Sequence, residues 1–169
     1  MSRFAALLLV LGALVLPACR PQPATAPPPS RREIWQTVQV HAADYTLDPV
    51  LVYALIAAES NFDPAARQGE ARGLFQLTPG AWRTVTTEPY EPGVWDWRRN
   101  LEVGIDYLAW CRHELHRRNQ YSSVLVLAAF HYGFDNVAAA GFDPGRLPPP
   151  DNPIYRALWR GETPPVPPP

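Results

Sequence analysis

A chain of 169 residues is long enough for one ordinary domain with extensions at its ends. Its formal net charge of -1 gives no strong field for nucleic acid or an acidic surface, and no nucleic-acid partner is expected. The two cysteines, Cys19 and Cys111, exclude a disulfide framework.

The first 19 residues read as an export signal. Arg3 gives a positive start, and residues 4–16 form an apolar run of signal length, too short for a spanning helix. The segment closes Leu16-Pro17-Ala18-Cys19, which resembles the lipobox of bacterial lipoproteins. That resemblance implies removal of residues 1–18, acylation of Cys19 and a lipid anchor, facing the periplasm on the outer membrane. The plainer alternative is an ordinary signal with Cys19 incidental. Residues 19–29 then form a tether. Pro21, Pro23, Pro27, Pro28 and Pro29 favour extended polyproline II at roughly 3 Å per residue, which holds a domain about 30 Å from its anchor.

The folded domain is expected over 30–160. Ser30 and Glu33 are spaced as a capping box. Ile34, Trp35, Val38, Ala42 and Tyr45 follow on one helical face. His41 on that helix reads as a boundary residue.

The stretch from Leu47 to Ser60 carries the most information. Asp48 and Pro49 are N-cap and first helical residue. Residues 50–58 then lack charge, and a helix apolar all round is buried. One carboxylate, Glu59, ends it. The negative end of the helix and the apolar neighbours both disfavour a charged acid there, as a proton donor requires. The alternative is a helix that simply stops, with Glu59 in water.

After Asn61-Phe62-Asp63-Pro64, which is turn chemistry, residues 65–72 read as a surface loop. Gly73-Leu74-Phe75-Gln76-Leu77 supplies at most a short strand, and Thr78-Pro79 starts another helix. Gln76 stands between apolar residues. It is a candidate to bind a polar ligand, or equally a side chain bonded to loop backbone. Trp95 and Trp97 on the irregular segment after Glu88 either stack on sugars or close the core. Asn100 is expected to cap a long helix whose inner face includes Gly104, Ile105, Leu108 and Cys111. His113 and His116 lie on its charged side, without enough neighbours for a metal site. No metal or other cofactor is expected. Ser122 or Ser123 opens a second apolar helix, residues 124–132, which Gly133 stops. A short helix over 136–140 and an amphipathic turn over 154–159, packing Tyr155, Leu158 and Trp159, complete the domain. Residues 161–169 read as a disordered Pro-rich tail.

Three ordered blocks resemble the soluble lytic transglycosylase domain family of the lysozyme-like superfamily. The first runs from Leu47-Asp48-Pro49 through Glu59-Ser60-Asn61-Phe62-Asp63-Pro64. The second is Gly73-Leu74-Phe75-Gln76-Leu77-Thr78-Pro79. The third is Asn100-Leu101, Gly104 and Tyr107-Leu108, followed by Leu127-Ala128-Ala129-Phe130-His131-Tyr132-Gly133. The resemblance implies a mainly α, lysozyme-like domain with at most a very small β element. It implies cleavage of the β-1,4 bond between N-acetylmuramic acid and N-acetylglucosamine in peptidoglycan, leaving a 1,6-anhydro end. Glu59 would be the single acid and base. Ser60, Gly73, Leu74, Phe75, Gln76, Phe130 and His131 would support it or line the sugar subsites. Glycan strands would be the substrate, and no protein partner is indicated.

Two departures stand out. Gln68 and Glu70 occupy a loop where the family has Ser and Gly. Phe130 replaces the family's Tyr, removing a hydroxyl expected beside the catalytic acid, and His131 replaces an Asn. His131 and Tyr132 are candidate substitutes for that hydroxyl. Two other readings stay open: a hydrolytic muramidase using Asp96 or Glu70 as second carboxylate, and a non-catalytic peptidoglycan-binding lipoprotein.

Overall fold

The computed structural model describes residues 27–169. The expected export signal, Cys19 and most of the Pro-rich tether lie outside the described residues. What forms is a mainly α, lysozyme-like domain with one two-stranded hairpin.

Local chemistry starts most helices where the residue types demand. Ser30 caps α1 (Arg31–Asp44), and Glu33 returns the bond to the Ser30 backbone, completing the capping box. Asp48 and Pro49 open α2 (Pro49–Ser60). A hairpin of β1 (Arg67–Gln68) and β2 (Ala71–Arg72) follows, where a plain loop was expected. Residues 73–77 form no strand. Their one ladder contact is an isolated bridge between Arg72 and Leu77. Thr78 caps α3 (Pro79–Val85). A short kinked α4 (Tyr90–Gly93) leads into the 21-residue α5 (Trp97–Arg117). Then come α6 (Ser123–Tyr132), capped by Ser122, α7 (Phe134–Ala139), a 3₁₀ turn (Pro144–Arg146) and α8 (Pro153–Trp159).

Three expectations need correction. Asp96, not Asn100, caps α5, accepting from the Arg98 and Arg99 amides. Asn100 sits one turn inside and is fully buried. Tyr45 does not join the inner face of α1. It is exposed, and its hydroxyl donates to Asp106 at 2.7 Å. The short helix after Gly133 begins two residues earlier than expected, at Phe134.

The core lies where α2 meets α1 and α8, and where α5 meets α1, α3 and α6. Asn100 joins this core to the loop after the hairpin. Its Oδ1 accepts from the Phe75 amide at 2.9 Å. Its Nδ2 donates to the Arg72 and Val94 carbonyls at 3.0 and 3.1 Å. Three backbone groups of an irregular segment are thus satisfied by one amide, which such burial requires. Two glycines let the parts approach. A Cβ on Gly73, at φ +76, would stand 2.3 Å from the Asn100 side chain. One on Gly104 would stand 2.2 Å from the Phe75 ring. Val166, in the Pro-rich tail, is partly buried against the core.

Candidate active site

The end of α2 is held in an unusual backbone. Asn61 closes the helix at φ 51, and Phe62 follows at φ 66. Asn tolerates the left-handed region, whereas a bulky residue there is strained. Phe62 persists because its ring is buried against Tyr53, with centroids 4.6 Å apart. The sharp exit leaves the last turn of α2 facing a cleft. Ser60 does not enter that cleft. Its hydroxyl donates to the Ile56 carbonyl at 3.1 Å and keeps the last turn intact.

Glu59 does not point into water. Its side chain is 13% exposed and lines a cavity of about 350 Å³ with Gln68, His131, Tyr132, the loop 148–152 and Tyr155. The Tyr155 hydroxyl donates to Glu59 Oε1. His131 Nδ1 lies 3.6 Å from the same oxygen, an ion pair whenever the imidazole is charged. Among the described residues no hydrogen bond reaches Glu59 Oε2. Burial, and then the adjacent Glu59 carboxylate, push the Tyr155 hydroxyl well above the usual tyrosine range. It therefore stays protonated and remains a donor.

A hydroxyl thus reaches Glu59 from α8 and not from position 130. Neither candidate substitute takes that role: the Tyr132 hydroxyl donates to the Pro148 carbonyl at 2.6 Å, and His131 sits beyond hydrogen-bond distance. Asn152 explains how α8 reaches the site. Its Oδ1 caps α8 by accepting from the Ile154 amide, and its Nδ2 donates to the Ala58 carbonyl at 3.0 Å. One side chain therefore starts α8 and ties it to the end of α2. Tyr155, three residues on, is 1% exposed, and its ring packs on the His131 ring at 4.3 Å.

The other expected site residues divide. Phe75 and Phe130, with ring centroids 5.6 Å apart, line a second cavity of about 180 Å³ that shares His131 and Tyr132 with the first. Leu74 is wholly core, and Gly73 is packed against Asn100. Gln76 takes the backbone-bonded alternative. It adopts φ 46, and its Nε2 donates to the Ala66 and Gly73 carbonyls at 3.0 and 2.8 Å. Its Oε1 is buried without a partner. Gln76 lines neither cavity around Glu59. Asp96 is occupied as the α5 cap, and Glu70 is exposed at the hairpin turn. Asp151 does line the Glu59 cavity.

This arrangement can transfer a proton. A sheltered carboxyl group has one oxygen held by a neutral donor and the other free. A proton placed on the free oxygen can be given to a bound atom, and the resulting charge is stabilised by the hydroxyl behind it.

The family model for the transglycosylase SLT domain matches residues 36–146, a span that holds Glu59 and His131 but stops short of Tyr155. The chain is 32% identical over 101 residues to a protein named transglycosylase from Enterobacteria phage PRD1, covering 59% of this chain and 34% of that protein. It is 34% identical over 119 residues to membrane-bound lytic murein transglycosylase F of Desulfosudis oleivorans, covering 62% of this chain and 25% of that protein. The chain thus spans about a third and a quarter of the length of these relatives. With the family match extending over well more than half of its residues, this chain belongs to the transglycosylase SLT domain family.

Proposed function

We propose that the protein is a peptidoglycan lytic transglycosylase in which Glu59 is the single acid and base. The observation that carries this reading is the Glu59 carboxylate, sheltered in the cleft with Oε1 held by Tyr155 and Oε2 free. Glu59 Oε2 gives its proton to the glycosidic oxygen as the bond from that oxygen to the muramoyl C1 breaks. The substrate's acetamido oxygen supports the positive charge at C1, so no second carboxylate is required. The muramoyl C6 oxygen then bonds to C1, and its proton returns to Glu59. No water is consumed, and a 1,6-anhydro ring results. Both relatives carry transglycosylase in their names, which supports the same class of reaction.

The test is muropeptide analysis of peptidoglycan digested by parent and Glu59→Gln. The parent should release fragments with 1,6-anhydro ends. Loss of a general acid costs about 10² to 10⁴ in rate, so the variant should be nearly silent. Equal release by both would remove the role given to Glu59, and release by neither would leave a glycan-binding lipoprotein.

One observation favours a second reading. Asp151 lines the same cavity as Glu59, and a carboxylate there has the chemistry to position a water for hydrolysis. Hydrolysis would yield reducing ends, and Asp151→Asn would then abolish them.

We also propose that the protein is exported and acylated at Cys19, with the tether holding the domain off the outer membrane on its periplasmic face. The lipobox-like sequence supports this, and one relative is named as membrane-bound. Among the described residues no helix is long and apolar enough to cross a membrane. Cys19→Ala should move the protein from the membrane fraction to the soluble fraction.

A further inference from the structure

A depression of about 850 Å³, larger than the cavity at Glu59, lies where the second half of α5 meets the ends of α1 and α3. Three aromatic side chains line it: Tyr45, Trp110 and Tyr121. Asp106, His113 and His116 add hydrogen-bonding groups. None of these touches Glu59. Tyr121 is 51% exposed, and its ring lies flat on His116, with centroids 4.0 Å apart and 12° between planes. Trp110 stacks on Tyr107 in the same way, at 5.7 Å and 12°. The Tyr45 hydroxyl binds one oxygen of Asp106, and Arg112 is held by the Tyr45 and Thr46 carbonyls. The wall is therefore built before any ligand arrives.

Its composition suits a sugar. A pyranose offers a C–H face to an aromatic ring and hydroxyls to carboxylate and imidazole at its edge. Its position suits the same polymer that Glu59 would cut. The cavity at Glu59 shares His131 and Tyr132 with the one beside Phe130. That one shares Thr78 and Tyr107 with a third, of about 280 Å³. The third shares Thr84 and Trp110 with the large depression. Each cavity thus borders the next through shared side chains. From Tyr107 to His116 the series follows nine residues of α5, roughly 13 Å at about 1.5 Å per residue.

We propose that this depression is a distal glycan site that holds sugars of the same peptidoglycan strand well beyond the cleaved bond, so that long strands are preferred to short ones. This rests on the transglycosylase reading. Two ligand-facing residues outside the core test it: Tyr121→Ala and His116→Ala, singly and together, in the full chain. Rates are measured on long glycan strands and on a tetrasaccharide muropeptide, with thermal melting as the check on folding. Loss of one aromatic stacking contact corresponds to about threefold to tenfold in affinity. The KM on long strands should rise by that factor, with kcat and the tetrasaccharide parameters unchanged. An unchanged KM on long strands overturns the distal site and leaves the transglycosylase reading standing. An equal loss on both substrates overturns it too, by assigning these residues a structural role. A parent that cleaves neither substrate removes both proposals.

Discussion

Tyr155→Phe is the sharpest probe of the site. Tyr155 is buried to 1% exposure, and Phe preserves its ring and the contact with His131. What is lost is one hydroxyl donating to Glu59 Oε1. A hydrogen bond to a charged group is worth about 1.5–3 kcal/mol. Its effect on rate depends on when Glu59 is charged. In the proposed reaction the carboxyl group is neutral before it donates its proton, and it becomes an anion as the glycosidic bond breaks. The hydroxyl therefore stabilises the transition state more than the bound substrate, and most of its worth falls on kcat. At about 1.36 kcal/mol per tenfold, the expected fall is roughly 10- to 150-fold. The KM should hold, because the hydroxyl is engaged with Glu59 and not aimed at substrate. The assay is initial-rate release of muropeptides at several substrate concentrations, with urea unfolding run in parallel. A variant with parental kcat would refute the role given to Tyr155. A loss confined to stability would show that the bond only docks α8 onto α2.

Three further outcomes follow from the packing. Asn100→Ala strands the Phe75 amide and the Arg72 and Val94 carbonyls, and each stranded buried group costs about 1–3 kcal/mol. Urea unfolding should show a loss of about 3 kcal/mol or more, and a loss below about 1 kcal/mol would refute the hub. Gly104→Ala sets about 1 kcal/mol of gained helix propensity against a Cβ placed 2.2 Å from the Phe75 ring. Overpacking costs about 1–3 kcal/mol, so the melting temperature should fall, and a rise would mean that the loop yields freely. The third concerns alkaline pH. Burial pushes the Cys111 thiol from an ordinary 9.0 up to about 12. Burial raises the Tyr107 and Tyr155 hydroxyls above their ordinary 10.0. The folded chain holds these protons more tightly than the unfolded one. Their stabilisation is complete below the ordinary values and is lost as pH climbs through the folded ones. Unfolding free energy should decline from pH 9.0 upward, and Cys111→Ala should remove the earliest part of that slope. A flat profile in the parent would contradict it.

Much of this protein was legible from residues a few positions apart. Caps at Ser30, Asp48, Thr78 and Ser122 work through hydrogen bonds spanning two or three residues, so residue type and spacing suffice. The charge-free run before Glu59 likewise declared a buried helix ending in one acid, and the match of the three blocks pointed to the family. The start of α5 was not legible. Asp96 and Asn100 are both good capping residues one turn apart, and only the backbone groups of Arg72, Phe75 and Val94 waiting nearby decided that Asn100 belongs inside. Gln76 offered two roles on paper, and the fold turned its amide nitrogen onto the Ala66 and Gly73 carbonyls. In the sequence pattern Tyr155 is a packing residue alone. It meets Glu59 across 96 residues of sequence because Asn152 docks α8 against α2, and no local pattern encodes that meeting. The sequence by itself therefore determined the buried helix and the single acid that closes it, since both depend on one helix and its ends. Only the tertiary structure decided which hydroxyl stands behind it, because that contact exists only once two distant helices have packed.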